Sequence, residues 1–253
     1  MSDITKAVIP ASGHGTRMRP ISNYIPKPML PLGKQPILHH IVDELKMAGI
    51  NEIAVVARTE HSAIWEYGKS TSGVHIIPDN SASGPGGAIL SARDFVDGEE
   101  FVVLFSDAPM RGTNRENHLK QLCALKTNGE VAAVLSIYQI PQSEVSSRGV
   151  VAFQDDVTVE NKSLKLTDIV EKPPSNDYPS RWASTCRYVL DDNIFDALDL
   201  VSSDDEELQL TSAIKYLIKK KQRVIGLPLP DHLKRYDTGN FEGYFEAFND
   251  FVQ

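Results

Sequence analysis

Two cysteines stand in a chain of 253 residues. Cys123 and Cys186 have neither CxxC spacing nor a histidine cluster beside them, so no structural zinc centre or disulfide framework is indicated. Both read as ordinary buried thiols. No apolar run approaches the roughly 18 residues of a membrane span, and Met1 to Ile9 lacks the basic start and apolar core of an export signal. A cytoplasmic location without membrane contact is expected. Basic charge is also scarce: 26 Lys and Arg face 34 Asp and Glu, a formal net charge of -8. That sign repels polyphosphate backbones at long range and argues against a nucleic-acid partner. An anionic ligand would require positive charge gathered locally against the global sign.

Apolar substance is plentiful. With 41% hydrophobic residues in this length, a sizeable core can be buried, which excludes disorder and a disulfide-held mini-scaffold. Internal repeats, low-complexity tracts and Gly/Ser linkers are missing, so one domain over residues 1–253 is favoured. Short β-rich runs alternate with amphipathic stretches at residues 7–10, 37–47, 52–57, 74–77, 86–95 and 101–105. That rhythm predicts an α/β fold with a Rossmann-like, mainly parallel (mixed) sheet flanked by helices. Residues 7–9, 53–56 and 101–105 are apolar throughout, as central strands covered on both faces are. Pro36 and Gly49 frame a helix over 37–48 in the Pro-first, Gly-last order. After residues 131–137 the pattern changes. The runs 149–153, 164–170 and 187–190 arrive without long helices between them and read as a small β-rich insertion. Helices over 193–201 and 208–220, an apolar run over 224–229 and an amphipathic segment over 241–252 complete the chain. Asp155-Asp156, residues 175–180 and residues 202–207 read as polar surface loops.

The first strand runs into Ala11-Ser-Gly-His-Gly-Thr-Arg-Met-Arg-Pro20, followed by Ile25-Pro-Lys-Pro-Met-Leu-Pro31. Gly13 and Gly15 let backbone N–H groups converge on an anion without Cβ obstruction, and Arg17 and Lys27 bring positive charge to the same loop. A phosphate cradle is one reading; a plain glycine turn with solvated cations is the other. GxxxxGK[ST] is absent, and Met18 stands where GxGxxG would need no side chain, so neither a Walker A loop nor a dinucleotide fingerprint is present. Asp107 follows the apolar strand at 101–105, at a carboxyl edge where open α/β sheets place ligands. It could serve as a metal ligand or simply cap a turn.

The GxGTRMRP run with its downstream IPKPMLP resembles the opening signature of the sugar-1-phosphate nucleotidylyltransferases, and is most similar to the bacterial glucose-1-phosphate uridylyltransferase branch. Further matches follow in chain order: Gly149-Val-Val, Val170-Glu-Lys-Pro173, Arg187-Tyr-Val-Leu190, Glu207-Leu-Gln-Leu-Thr211 and Arg235-Tyr-Asp-Thr-Gly239. They span nearly the whole chain. The resemblance implies an enzyme that joins a nucleoside triphosphate, UTP foremost, to a hexose 1-phosphate, glucose 1-phosphate foremost, and releases pyrophosphate. It assigns nucleotide contacts to Ala11, Ser12, Gly13, Gly15, Thr16, Arg17, Asp79, Asn80 and Gly84, and sugar-phosphate contacts to Gly149, Glu171 and Lys172. Arg17, Lys27 and Lys172 become the catalytic cations, and Asp107 and Asp237 the ligands of Mg2+. Residues 1–140 would then be mainly nucleotide-binding, 141–190 sugar-binding, and 191–253 would supply C-terminal helices and the second metal-binding Asp. Relatives are often dimers or tetramers, so a homo-oligomer is compatible with the resemblance.

Three departures stand out. Arg148 precedes Gly149 where the family usually has an aromatic residue. Asp79 stands where uridylyl- and thymidylyltransferases carry Gln; an ionised Asp only accepts hydrogen bonds and repels carbonyl oxygens, which suits cytosine or guanine better than uracil. The loop between the second and third strands is short. These leave open another base or a non-catalytic sugar-nucleotide-binding protein. A nicotinamide-dependent oxidoreductase, suggested by the βαβ opening, lacks its third glycine. Elsewhere His39-His40, Lys219–Lys221, Trp65 and Trp182 read as packing or solvated helix-end residues rather than sites.

Overall fold

The computed structural model describes residues 4–79, 84–127, 130–154, 163–202 and 207–252. Asn80, the Asp155-Asp156 loop and residues 203–206 lie outside the described residues. In chain order the strands are β1 (Lys6–Pro10), β2 (Pro31–Leu32), β3 (Gln35–Pro36), β4 (Glu52–Ala57), β5 (Val74–Pro78), β6 (Phe101–Leu104), β7 (Met110–Arg111), β8 (Ala133–Gln139), β9 (Gly149–Phe153), β10 (Leu164–Glu171), β11 (Trp182–Leu190), β12 (Val224–Pro228) and β13 (Lys234–Arg235). The helices are α1 (Ile37–Met47), α2 (Ser62–Ser70), α3 (Gly84–Leu90), α4 (Arg93–Val96), α5 (Arg115–Thr127), α6 (Asn193–Val201), α7 (Leu210–Lys219) and α8 (Phe241–Val252).

Among the described residues one nine-stranded sheet runs in the order β5-β4-β1-β6-β11-β8-β12-β10-β9. The first four strands are parallel neighbours, as their unbroken apolar runs require. Beyond them β10 and β11 run against the rest, so the sheet is mixed. Successive residues of β1 point to opposite faces. Val8 joins a core with α3, α6 and α7, while Ala7 and Ile9 join a second core with α1, α2 and α5. The result is a three-layer α/β/α body.

α1 shows why the periodicity was readable: Leu38, Ile41, Val42 and Leu45 recur at helical spacing and all lie buried on the sheet. α5 shows the opposite. Its inward face includes the buried polar side chains of His118 and Lys126 beside Leu119 and Leu122, so no apolar stripe marks it. α2 buries only Ile64 completely and is equally silent. The stretch 86–95 splits into α3 and α4, and the run at 187–190 is the end of a longer strand, β11, that begins at Trp182.

Register sets where the strands end. β11 pairs with β6 over residues 187–190 and meets β9 at Ala183↔Val150. The start of β9 therefore stands beyond the carboxyl end of β6. A smaller core of Ile140, Val145, Val150 and Ala183 underlies that region. Another core joins Met18, Leu30, Leu32 and Ile37 to Tyr236 and to Ala247 of α8. His40 joins this packing, its ring 4.8 Å from that of Phe251 and its Nε2 2.8 Å from the Leu32 carbonyl. Trp65 donates to the Arg58 carbonyl and Trp182 packs edge-on against Phe153. No described helix is long and apolar enough to cross a membrane.

Candidate active site

The glycine-rich loop leaves β1 at its carboxyl end, where Ala11 N–H bonds the Val56 carbonyl at 2.8 Å and the Ser12 carbonyl accepts from Arg58 Nε at 2.7 Å. Gly15 adopts the left-handed conformation, φ 61°, and caps a single 3-10 turn, Thr16–Met18. Burying Met18 completely is worth about 1.5–3 kcal/mol and points Arg17 outward. A Cβ on Gly15 would stand 3.7 Å from Lys27 Cβ, so the two cation-bearing loops touch. Gly13 and Thr16 remain exposed beside them.

Asp107 and Asp237 are brought together by a ribbon. β13 pairs with β7 at Arg235↔Met110. The same register continues through Tyr236 N–H to the Pro109 carbonyl at 3.0 Å and Thr238 N–H to the Asp107 carbonyl at 2.9 Å. Thr238 Oγ1 donates to that carbonyl as well, at 3.0 Å. The carboxylates converge around Gly239: a Cβ there would meet Arg17 Nη2 at 2.8 Å, Asp237 Oδ1 at 2.9 Å and Asp107 Oδ2 at 3.4 Å. That proximity is a reason for glycine at this position. Lys27 Nζ donates to Asp107 Oδ2 at 2.6 Å.

Burial opposes ionisation of Asp107, and Asp237 repels its charge, yet Lys27, through its charge and its hydrogen bond, together with Arg235 holds its pKa below the ordinary carboxylate range. Burial likewise opposes ionisation of Asp237, and there Arg235 and Arg148 prevail, bringing it down to about 2. Both are carboxylates at neutral pH. Among the described residues no group of three His, Cys, Asp or Glu surrounds them. Two ionised carboxylates suit a hard divalent cation such as Mg2+, which keeps few protein ligands beside phosphate oxygens and water.

The residues expected to contact the sugar phosphate meet at the β9–β10 edge. Gly149 pairs with Glu171, and a Cβ on Gly149 would lie 3.0 Å from Glu171 Oε2 and from Thr211 Cγ2. Thr211 Oγ1 donates to Glu171 Oε2 at 3.0 Å and fixes the carboxylate. Lys172 turns the chain at φ 46°, and its N–H bonds the Arg148 carbonyl at 2.9 Å. Its side chain is 56% exposed, with Nζ 4.0 Å from Glu171 Oε1.

Of the residues expected to contact the base, Asp79 follows β5, with its N–H on the Ala57 carbonyl at 2.9 Å and Ser91 Oγ 3.5 Å from Oδ1. Gly84 opens α3 at φ 81°, where a Cβ would strike the Leu208 carbonyl at 2.5 Å. Close packing on the Leu208 backbone thus demands glycine at that position.

Several residues escaped the reading of the sequence. Arg148, noted there as a departure, donates through Nη1 to Asp237 Oδ2 and through Nε and Nη2 to Glu144 at 3.3 and 3.0 Å. Arg235 lies 4.0 Å from Asp237 Oδ2; its i, i+2 spacing from Asp237 on an extended segment was an available signal. Cys186 sits in a register break of β11 at φ 64°, with Arg235 Nη2 3.7 Å from Sγ. Burial raises its thiol pKa, and pushes that of Cys123 up to about 12, so neither is a ready nucleophile.

Comparison with known proteins agrees with this architecture. The family model described as nucleotidyl transferase matches residues 6–253. UTP–glucose-1-phosphate uridylyltransferase 1 of Streptococcus pyogenes serotype M3 is 34% identical over 282 residues, covering 100% of this chain and 90% of that protein. UTP–glucose-1-phosphate uridylyltransferase of Haemophilus influenzae is 32% identical over 273 residues, covering 96% and 91%. The crystal structure of UDP-glucose pyrophosphorylase complexed with UDP-glucose superposes with a TM-score of 0.87 at 30% identity, covering 98% of both chains. With its sheet, its glycine loop and its paired aspartates in this arrangement, the chain belongs to the nucleotidyl transferase family.

Proposed function

We propose that this nucleotidyl transferase joins UTP to glucose 1-phosphate, forming UDP-glucose and pyrophosphate. What supports the reading is the convergence of Arg17, Lys27, Asp107 and Asp237 about Gly239, beside a sugar-side wall built from Gly149, Glu171 and Lys172. The relatives named above point to the same substrates.

The reaction brings two anions into contact. A phosphate oxygen of glucose 1-phosphate bonds to the α-phosphorus of UTP as the bond to the bridging β-phosphate oxygen breaks, and pyrophosphate leaves in line. The attacking oxygen is already ionised, so no general base is required; alignment and charge neutralisation do the chemistry. Backbone N–H groups from Ser12 to Thr16 receive the triphosphate beside Ala11, whose own N–H is held by the Val56 carbonyl. Arg17 holds the departing β- and γ-phosphates, and Lys27 neutralises charge at the α-phosphorus. Lys172 holds the attacking phosphate, while Glu171, braced by Thr211, accepts hydrogen bonds from sugar hydroxyls. Gly149 lets the sugar approach the backbone. Nucleotidyl transferases of this kind generally use a divalent metal. Here Mg2+ held by Asp107 and Asp237 would supply charge neutralisation between the two phosphate groups. In this reading residues 1–140 serve the nucleotide, 141–190 the sugar, and 191–253 contribute Asp237.

Asp79 favours a second reading, CTP or GTP, because an acceptor-only carboxylate matches an amino or N–H edge better than uracil. A matrix of five nucleoside triphosphates against several hexose 1-phosphates, with Mg2+ and pyrophosphate release as the readout, decides between them. The greatest release is expected from UTP with glucose 1-phosphate. Greatest release with CTP or GTP would transfer the assignment to that base, and no release from any pair would leave a non-catalytic binding protein.

A further inference from the structure

Asp237, one of the two carboxylates proposed to hold the metal, is already occupied by a cation of the chain itself. Arg148 Nη1 donates to Asp237 Oδ2, and its opposite edge, Nε and Nη2, is tied to Glu144 Oε2 at 3.3 and 3.0 Å. Glu144 lies one turn earlier in the 3-10 segment Gln142–Ser147. The tether to Glu144 and the bond to Asp237 thus use different nitrogens. Nη1 can exchange its partner while the guanidinium stays anchored.

Position defines the available partner. Arg148 immediately precedes Gly149, and its carbonyl accepts the N–H of Lys172 at 2.9 Å. It therefore stands between the carboxylates at Gly239 and the wall assigned to the sugar phosphate. A divalent cation on Asp237 would face a guanidinium of like sign at contact distance. The pair is tolerable only if Nη1 turns to another anion, and the phosphate of a sugar 1-phosphate would be the anion next to it.

We infer that Arg148 is a substrate-phosphate ligand parked on Asp237, released to the sugar phosphate when a divalent cation takes that carboxylate. The inference rests on the functional reading above. Arg148 thereby couples the two binding events: phosphate draws Arg148 off Asp237 and opens the carboxylate to metal, and metal frees Arg148 for phosphate. Such coupling is reciprocal, and typical values amount to roughly 5- to 150-fold in affinity.

Mn2+ binding, followed by electron paramagnetic resonance of the free ion, tests this without turnover. In the native protein glucose 1-phosphate, with no nucleotide present, is expected to tighten Mn2+ binding by about tenfold, within the range usual for coupled sites. In Arg148→Ala the Mn2+ affinity is expected to be higher at the outset and to change less than about twofold on adding glucose 1-phosphate. Simple charge removal would raise Mn2+ affinity without abolishing the coupling, so equal coupling in both proteins overturns the inference. Arg148→Lys, which keeps the charge, also identifies the Arg148 Nη1–H resonance by its disappearance. In the native protein that resonance is expected to shift when Mg2+ and glucose 1-phosphate are added together, and an unmoved resonance overturns the inference even if Arg148→Ala fails to fold. Pyrophosphate release by the native protein separates the two levels. A protein that turns over but shows equal coupling loses only the role of Arg148, whereas one that releases none with any substrate pair loses both.

Discussion

Lys27 and Asp107, eighty residues apart in sequence, share a hydrogen-bonded ion pair of 2.6 Å. Each side chain is largely covered, at 13% and 22% exposure, so the pair lies where charge is weakly screened. Lys27 holds Asp107 ionised against burial and the repulsion of Asp237, and in the proposed reaction it also faces the α-phosphorus.

Those two duties can be separated. Lys27→Ala is expected to lower pyrophosphate release by on the order of 10²–10³, the usual cost of removing one preorganised stabiliser of transition-state charge. Adding Asp107→Asn should restore lost thermal stability, because the buried charge is gone, but not the rate. Recovery of the rate in the double variant would reduce Lys27 to a counter-ion for Asp107.

Gly239→Ala addresses the meeting point itself. The new methyl would crowd Arg17 Nη2 and Asp237 Oδ1, while Asp107 Oδ2 stays near van der Waals distance. The strain falls on side-chain ends rather than on the fold. A melting temperature close to native is expected, with a rate lower by on the order of 10²-fold, the cost of a displacement near 1 Å at a reacting centre. A large drop in melting temperature at an unchanged initial rate would contradict it.

Away from the site, Glu44 of α1 and Arg187 of β11 form a bidentate pair, both bonds 2.7 Å and both side chains 1% exposed. Glu44→Gln leaves the Arg187 charge buried without its counter-charge and should cost about 3–5 kcal/mol in urea unfolding. Replacing both by methionine should cost much less, since desolvation then favours the variant. A double variant as unstable as the single one would show that the pair is needed for more than its charge balance.

His118 of α5 gives a pH dependence. Its Nε2 meets Ser136 Oγ at 2.7 Å inside the core; burial, aided by the charge of Arg187, lowers its pKa from 6.5 to about 4. The unfolded chain therefore binds the proton more tightly. The contribution of neutral His118 is complete above pH 6.5 and is lost as pH falls toward 4, a change of at most on the order of 3 kcal/mol. His118→Gln should flatten unfolding free energy against pH in that window. An unchanged slope would exclude His118 as its source.

Legibility followed a simple physical division. Arg17 and Lys27 were readable because glycines and cations crowd one short loop, and Asp107 because an apolar strand ends just before it. α1 announced itself through an apolar stripe, whereas α5 turns His118 and Lys126 inward and carried no stripe to read. Arg148 was visible as an unusual residue before Gly149, but its meaning lies in Asp237, 89 residues away. Asp79 could be named from the sequence, and its carboxylate still poses the question of the base.

The sequence by itself determined the alternation of strands and helices, the glycine loop, and the gathering of positive charge on it in an acidic chain, because these depend on periodicity, glycine freedom and charge, all of which are local. Only the tertiary structure decided which cation meets which carboxylate. The β7–β13 register carries Asp237 to Asp107, and the reach of β11 past the end of β6 carries Gly149 and Arg148 to the same place. Strand register is settled by the packing of whole faces, and no segment contains that information alone.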